Sequence, residues 1–371
     1  MGLLDYYRQF EDVDERELNR LRRARRQQEK KLALEKVPDL DLSGTEWPEF
    51  PNSEVVNASI FTARGRVNGY PDRHARGVRR TMAEKHGIEP ERVVVGNGAA
   101  ELLQAAAYAL LSEGDDLVMP WPSYPLYPLM ASRVGARPVP VDVGPFGAEL
   151  GRVSDTVSER TKAVVICNPN DPTGTYVPSE SIARLLGELP ESTPLLLDEA
   201  LIHFQDVESE DASLHLTAED PRLVVFRTFS KIYGLSGLRA GYAVTTNSEL
   251  MDAIAPVLGV NALTQAAIDQ ALKIGGPDVE RRKQAVIRER RRILHSLKGL
   301  PVETTDTKAN FVWLRAHDLS GQELANRLRE QGVIVAPGGP LGADDHVRAQ
   351  LLNHGATDRL LKALERATEG S

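Results

Sequence analysis

Thr228-Phe229-Ser230-Lys231-Ile232-Tyr233-Gly234-Leu235-Ser236-Gly237-Leu238-Arg239-Ala240-Gly241-Tyr242 places one amine among hydroxyls and glycines, with an arginine eight residues further on. These are the parts needed to bind an aldehyde covalently and to hold an anion beside it. An ammonium removed from water loses solvation, so a lysine among apolar neighbours either gives up its proton and becomes a nucleophile or finds a partner. A lysine beside a serine is, on its own, usually a solvated surface group. The segments around this one argue for more.

The run Thr193-Pro194-Leu195-Leu196-Leu197 ends in Asp198-Glu199-Ala200, and Leu223-Val224-Val225-Phe226 ends just before the lysine segment. Two short apolar strands that deliver polar residues at their carboxyl ends match the rule that open α/β sheets bind ligands beyond that edge. A third strand, Ala163-Val164-Val165-Ile166-Cys167, runs into Asn168-Pro169-Asn170-Asp171-Pro172-Thr173-Gly174, where prolines and a glycine turn the chain. A fourth, Arg92-Val93-Val94-Val95, meets Gly96-Asn97-Gly98-Ala99-Ala100-Glu101 and an apolar helix through Leu111. Strand, glycine turn and helix start make an anion site, because free backbone amides and the helix dipole both favour negative charge there.

Taken together these four segments resemble the fold-type I pyridoxal-phosphate aminotransferases, and within them the histidinol-phosphate aminotransferase-like branch, over roughly residues 40 to 355. The resemblance implies that Lys231 forms a Schiff base with the aldehyde of pyridoxal 5'-phosphate and then shuttles the proton of the substrate Cα. It implies that Asp198 pairs with the pyridine nitrogen and keeps it protonated. Asn170 matches the asparagine that bonds the cofactor's phenolic oxygen, and Tyr124 the aromatic against the ring face. The phosphate falls to the amides of Ala99 and Ala100, the hydroxyls of Thr228 and Ser230, and Arg239, whose planar fork suits phosphate oxygens. Tyr70 matches a tyrosine that reaches the neighbouring subunit's cofactor, which implies a homodimer. Arg348 matches the arginine that receives a substrate carboxylate or phosphate, so an anionic amino donor and a 2-oxo acid acceptor are expected. Asn310 also resembles the family, but reads as a turn residue that orients the strand after it.

Two departures from the family pattern stand out. Leu201 follows Asp198-Glu199-Ala200 where a tyrosine is usual. One donor to the phenolic oxygen is therefore missing, which should raise the pKa of the Lys231 adduct unless another hydroxyl such as Tyr233 replaces it. A threonine-phosphate decarboxylase branch also lacks this phenol, so decarboxylation of an amino acid or its O-phosphate is an alternative. Upstream, Leu42-Ser43-Gly44-Thr45-Glu46-Trp47-Pro48-Glu49 replaces an asparagine-rich stretch, and Trp47 with two glutamates suggests a substrate carrying an amine or guanidinium.

Between residues 55 and about 250, apolar strands alternate with helical stretches such as Ala100 to Leu111 and Ser179 to Leu189. The expected fold class is α/β, a large domain with a mostly parallel sheet flanked by helices plus a smaller α+β domain. The expected division is an arm at 1–54 that begins the small domain, a large domain at 55–255, and a small domain with its connecting helix at 256–371. The latter should contain a helix Asp278 to Leu297, strands Val302 to Thr304, Asn310 to Arg315 and Val333 to Val335, and helices Gly321 to Gln331 and Thr357 to Ala367. A basic helix is expected from Asp14 to Lys36, with acids before bases as suits a helix dipole.

The 371 residues suggest two domains, and 45 basic against 53 acidic residues give −8, which disfavours nucleic acid or an anionic membrane as partner. One cysteine, Cys167, reads as a packing residue in a reducing, cytoplasmic setting. No apolar run approaches the roughly 20 residues of a membrane span, and metal-ligand spacing is absent. A nicotinamide-dependent oxidoreductase is a remote alternative. Val93 to Glu101 begins like a dinucleotide fingerprint, but Glu101 stands in place of the third glycine. A non-catalytic cofactor-binding regulator would need a DNA-reading module, and none is evident.

Overall fold

Short aliphatic runs, each broken by proline, glycine or a polar cluster, form seven strands of one mixed sheet: β1 (Val93–Gly96), β2 (Asp116–Trp121), β3 (Arg137–Asp142), β4 (Thr161–Cys167), β5 (Leu195–Asp198), β6 (Leu223–Thr228) and β7 (Gly241–Val244). Their order across the sheet is β1-β7-β6-β5-β4-β2-β3. β2 to β6 run parallel, whereas β7 lies antiparallel to both β6 and β1. The structure, a computed structural model, describes residues 20, 23, 38–142 and 150–369. Apart from Arg20 and Arg23, the basic helix expected over 14–36 lies outside the described residues. Asp41–Ser371 forms one compact unit.

Both faces of this sheet are covered, which is why its central strands read as continuous apolar runs. Leu195, Leu197, Val225 and Val244 pack into one core, and Leu196, Val224, Phe226 and Ala243 into another on the opposite face. The helix α1 (Ala99–Leu110) contributes Leu102, Leu103, Ala106 and Ala107 to the second core. The period of two along each strand therefore decides which side chains can meet α1.

Register brings the polar strand ends to one edge. Cys167 pairs with Asp198, Asp198 with Phe226, and Thr228 with Gly241, which also faces Gly96. The ends of β1, β4, β5 and β6 thus share the rim where the sequence places its functional residues.

Beyond the long helix α2 (Gly276–Ser296), strands β8 (Val302–Thr304), β9 (Phe311–Ala316), β10 (Val333–Ile334), β11 (Ala336–Pro337) and β12 (Val347–Gln350) follow. A four-stranded antiparallel sheet has the order β11-β12-β9-β8. The expected strand Val333 to Val335 is shorter, Val333–Ile334, and lies outside this sheet, which Ala336–Pro337 joins instead; Ile334 O accepts a hydrogen bond from Leu42 N at 2.7 Å. Leu42 O in turn accepts from Gln350 N at 2.8 Å. Residues 42–46 are so anchored beside β12. Among the described residues no helix is long and apolar enough to cross a membrane.

Candidate active site

A cavity of about 260 Å³ opens at the common strand rim, lined by Ala99, Ala100, Tyr124, Asp171, Asp198, Leu201, Thr228, Ser230, Lys231 and Arg239, with Glu46 and Ser236 at its wall. One end is an anion cradle. Gly98 precedes α1 with φ 102° and offers no side-chain cap, so the first amides of the helix face the cavity side without a competing oxygen from that residue. A Cβ on Gly98 would lie 2.8 Å from Arg239 Nη2, and one on Gly241 would lie 2.3 Å from Ala99 N. Only glycine lets strand β7, the helix start and the guanidinium come this close.

Arg239 itself adopts φ 52°, in the left-handed region where side-chain-bearing residues are uncommon. Its Nη1 donates to Ser236 O at 3.0 Å and to Ser230 Oγ at 3.4 Å. Thr228 Oγ1 donates to Ser230 Oγ at 3.0 Å and accepts from Ser230 N at 3.1 Å. Two hydroxyls, a guanidinium and a helix N-terminus therefore converge at one end.

At the other end Asp198 is 3% exposed. Burial pushes its carboxyl up to about 6, although the Tyr127 hydroxyl, which donates to Oδ2 at 2.9 Å, and Ala200 N, which donates to Oδ1 at 3.1 Å, act the other way. A buried carboxylate held by two donors is a receptor for a cation or an N–H group. The next residue, Glu199, turns away from the cleft and pairs with the buried Arg227 at 2.8 Å, tying the ends of β5 and β6 together.

Between these ends, Lys231 donates from Nζ to Thr45 Oγ1. Burial lowers its pKa, opposed first by the charge of Asp171. An amine so placed reaches the neutral, nucleophilic form at lower pH than a solvated lysine. Thr45 is held in turn by Asn310, whose Nδ2 donates to Thr45 O at 2.9 Å. Asn310 is fully buried, and besides preceding β9 it fixes the loop that meets the lysine.

Several expected residues lie elsewhere. Asn170 does not line the cavity: its Nδ2 donates to Pro122 O and Thr173 Oγ1 at 3.0 and 2.8 Å, while its Oδ1 accepts from Ser123 Oγ at 2.7 Å. The cavity wall at this turn is Asp171, because adjacent side chains of a turn diverge. Arg348 stands behind Asp171 and pairs with it at 2.5 Å. Tyr70, expected to serve a neighbouring subunit's site rather than this one, is 90% exposed and lines a separate surface groove with Phe61.

Tyr233 does not supply the hydroxyl that Leu201 lacks. It packs against Phe229 and His203, with ring centroids 5.0 and 5.5 Å apart, in the core. Of the upstream residues only Glu46 reaches the cavity. Trp47 is buried beneath the Arg282 guanidinium, 5.4 Å from its ring, and Glu49 pairs with Arg281 at 2.8 Å.

Sequence reading did not single out Tyr127, Thr45 or Asp171. The signal for Tyr127 was present: Tyr124 and Tyr127 stand three apart at a helix start and meet edge to face, with centroids 5.8 Å apart. For Thr45, 186 residues from its partner, no local signal exists.

These groups fit pyridoxal 5'-phosphate: an anion cradle shaped by two glycines, a buried carboxylate for a ring N–H, and an amine between them. The comparisons agree. Residues 40–364 match the family described as aminotransferase class I and II. An aromatic amino acid aminotransferase of Corynebacterium jeikeium is 36% identical over 84% of each chain. A histidinol-phosphate aminotransferase of Carboxydothermus hydrogenoformans is 32% identical over 86% of this chain and 88% of its own. Among solved structures, the histidinol-phosphate aminotransferase of Sinorhizobium meliloti in complex with pyridoxal-5'-phosphate superimposes with a TM-score of 0.80 at 23% identity, covering 89% of this chain and 90% of that one.

Proposed function

Because the chain belongs to the class I and II aminotransferases, enzymes that use pyridoxal 5'-phosphate, we propose that it moves an amino group from an amino acid or amino-alcohol phosphate to a 2-oxo acid, with Lys231 as the amine that joins the cofactor and as the proton carrier. The observation that carries this reading is the single cavity shared by Lys231, Asp198 and the Arg239 cradle. When bound, the cofactor supplies an aldehyde that takes up the amino group and a ring that accepts the electron pair released at the amino-bearing carbon.

The protein's part follows from its own side chains. Arg239, Ser230, Thr228 and the amides of Ala99 and Ala100 hold the phosphate. Asp198, aligned by Tyr127, keeps a proton on the ring nitrogen. Tyr124 covers one side of the cavity, and Leu201 contributes an apolar wall where a hydroxyl could have stood. Lys231 Nζ takes the proton from the amino-bearing carbon and returns it, and the Thr45 hydroxyl aims that nitrogen.

A second copy of the chain belongs to this reading. Val56, Ile60, Phe61, Val67, Tyr70, Val257 and Leu258 are exposed apolar or aromatic side chains that a second copy would cover, and Tyr70 would reach the partner's cofactor.

The test is borohydride reduction of the cofactor-loaded protein followed by peptide mapping, together with incubation of amino donors with 2-oxo acids. A reduced label on Lys231 and a new amino acid are expected. Label elsewhere, or an unaltered Lys231→Ala variant, would refute the assignment. Carbon dioxide released in place of a new amino acid would transfer the reading to decarboxylation, the alternative that Leu201 motivates.

A further inference from the structure

Asp171 stands between the cavity and the guanidinium expected to receive the substrate's carboxylate. Its side chain lines the cavity together with Lys231, Asp198 and Glu46, whereas Arg348 does not reach the cavity wall. Arg348 Nη1 donates to Asp171 Oδ1 at 2.5 Å and Nη2 donates to Ser43 O at 2.9 Å. The two side chains are 12% and 11% exposed, and the guanidinium lies 5.4 Å from the Phe311 ring centroid. Its Nε is buried without a partner.

A guanidinium captures a carboxylate best through two parallel N–H bonds. Here each terminal nitrogen already donates one N–H within the chain, and the positive charge is matched by a carboxylate of the chain itself. An incoming carboxylate would have to part a largely buried ion pair and leave Asp171 as an uncompensated anion beside it, which is unfavourable twice over. Glu46, whose charge is favoured by backbone N–H groups, adds a second negative wall. Among the described residues the cationic side chains lining the cavity are Lys231 and Arg239, the latter at the anion-cradle end. An amine with no carboxylate on its reacting carbon meets none of these penalties.

We infer that Asp171 is a specificity-determining residue: by holding the Arg348 guanidinium it weakens capture of a carboxylate on the reacting carbon, in the 2-oxo acid acceptor as in an amino-acid donor, and so favours carboxylate-free primary amines among the donors. This rests on the aminotransfer reading of the cavity, and it selects among the donors that reading admits.

The experiment compares cofactor-loaded wild type, Asp171→Asn, and Asp171→Asn combined with Arg348→Met. Calorimetry measures the affinity for 3-phenylpropanoate, a carboxylate with no amine to react, and turnover is measured with phenylalanine and phenylalaninol, which differ only in carboxylate against alcohol. Asp171→Asn should tighten 3-phenylpropanoate binding about tenfold and raise kcat/KM for phenylalanine over phenylalaninol by a similar factor. The double variant should lose that gain. Unchanged or weaker carboxylate binding in Asp171→Asn, or a gain that survives in the double variant, overturns the proposal. Tighter binding with no amino transfer from either donor would leave the role of Asp171 standing and remove the aminotransfer reading. Asp171→Ser, which also removes the charge, gives the same reading if the asparagine variant does not fold.

Discussion

The Tyr127 hydroxyl donates to Asp198 Oδ2 at 2.9 Å, so a fully buried phenol on the helix after β2 sets the charge of a carboxylate at the end of β5. Tyr127→Phe keeps the ring and removes the donor. Asp198 then keeps only the backbone N–H of Ala200 among its hydrogen-bond donors, and its pKa rises above about 6. We expect cofactor binding to be lost at a higher pH than in wild type as the solution is acidified, and a stability loss of about 1–3 kcal/mol from the under-satisfied carboxylate. Fluorescence titration of pyridoxal phosphate against pH, beside urea unfolding, reads both.

Asp198 also gives the cofactor-free protein a pH dependence of known sign. Its folded pKa, raised by burial to about 6, exceeds the ordinary carboxylate value of 3.8. Stability from this group is fully present below the unfolded value and is lost as pH rises through about 6, a difference of up to about 3 kcal/mol. Asp198→Asn should flatten the stability profile between pH 4 and roughly 7 and unfold no more readily than wild type at pH 8, while binding the cofactor more weakly. A steeper decline in the variant would show that Asp198 is not the group responsible.

Much of this arrangement is legible in the sequence. Aliphatic runs that end in Asp198, Cys167 and Thr228 announce parallel strands with their ligands at one rim, because a strand buried on both faces has no polar positions until it leaves the sheet. Lys231, Asp198, Arg239, Ala99, Ala100, Tyr124, Thr228 and Ser230 accordingly share one cavity. The choice between Asn170 and Asp171 was not legible, since two adjacent polar residues in a proline-rich turn point in directions set by backbone torsions rather than by pattern. The same holds for Glu46 and Trp47, of which the glutamate faces the cavity and the indole goes under Arg282. Contacts such as Thr45 with Lys231 depend on how the 42–46 segment is fastened to β12, a tertiary fact with no local signature.

Gly241 tests the anion cradle without touching any charged group. A methyl there would come within 2.3 Å of Ala99 N, 2.7 Å of Gly98 C and 2.9 Å of Arg227 O, all backbone atoms that cannot swing aside. Gly241→Ala should push the start of α1 from β7 and weaken cofactor phosphate binding at least tenfold, and the loss should be smaller for pyridoxal without its phosphate. Equal losses for the two ligands would place the damage outside the cradle.

Arg282 holds the lysine loop from the far side. Its Nη1 donates to Ile232 O at 2.6 Å, the carbonyl next to Lys231, and its guanidinium covers the Trp47 ring. Gly234 turns the same loop at φ 70°, where a Cβ would lie 3.2 Å from Arg282 Nη1, so the arginine fits closely under the turn. Arg282→Met preserves the apolar stem but leaves the Ile232 carbonyl unpaired and the indole uncovered. We expect destabilisation of about 2–3 kcal/mol and a fall in turnover larger than any change in cofactor affinity, because the phosphate cradle lies at Arg239 while the proton carrier loses its support. Arg282→Lys, which retains a charge and one donor, should recover part of the turnover. If Arg282→Met lowers cofactor affinity and leaves turnover of the loaded enzyme intact, the arginine serves the fold rather than the aim of Lys231.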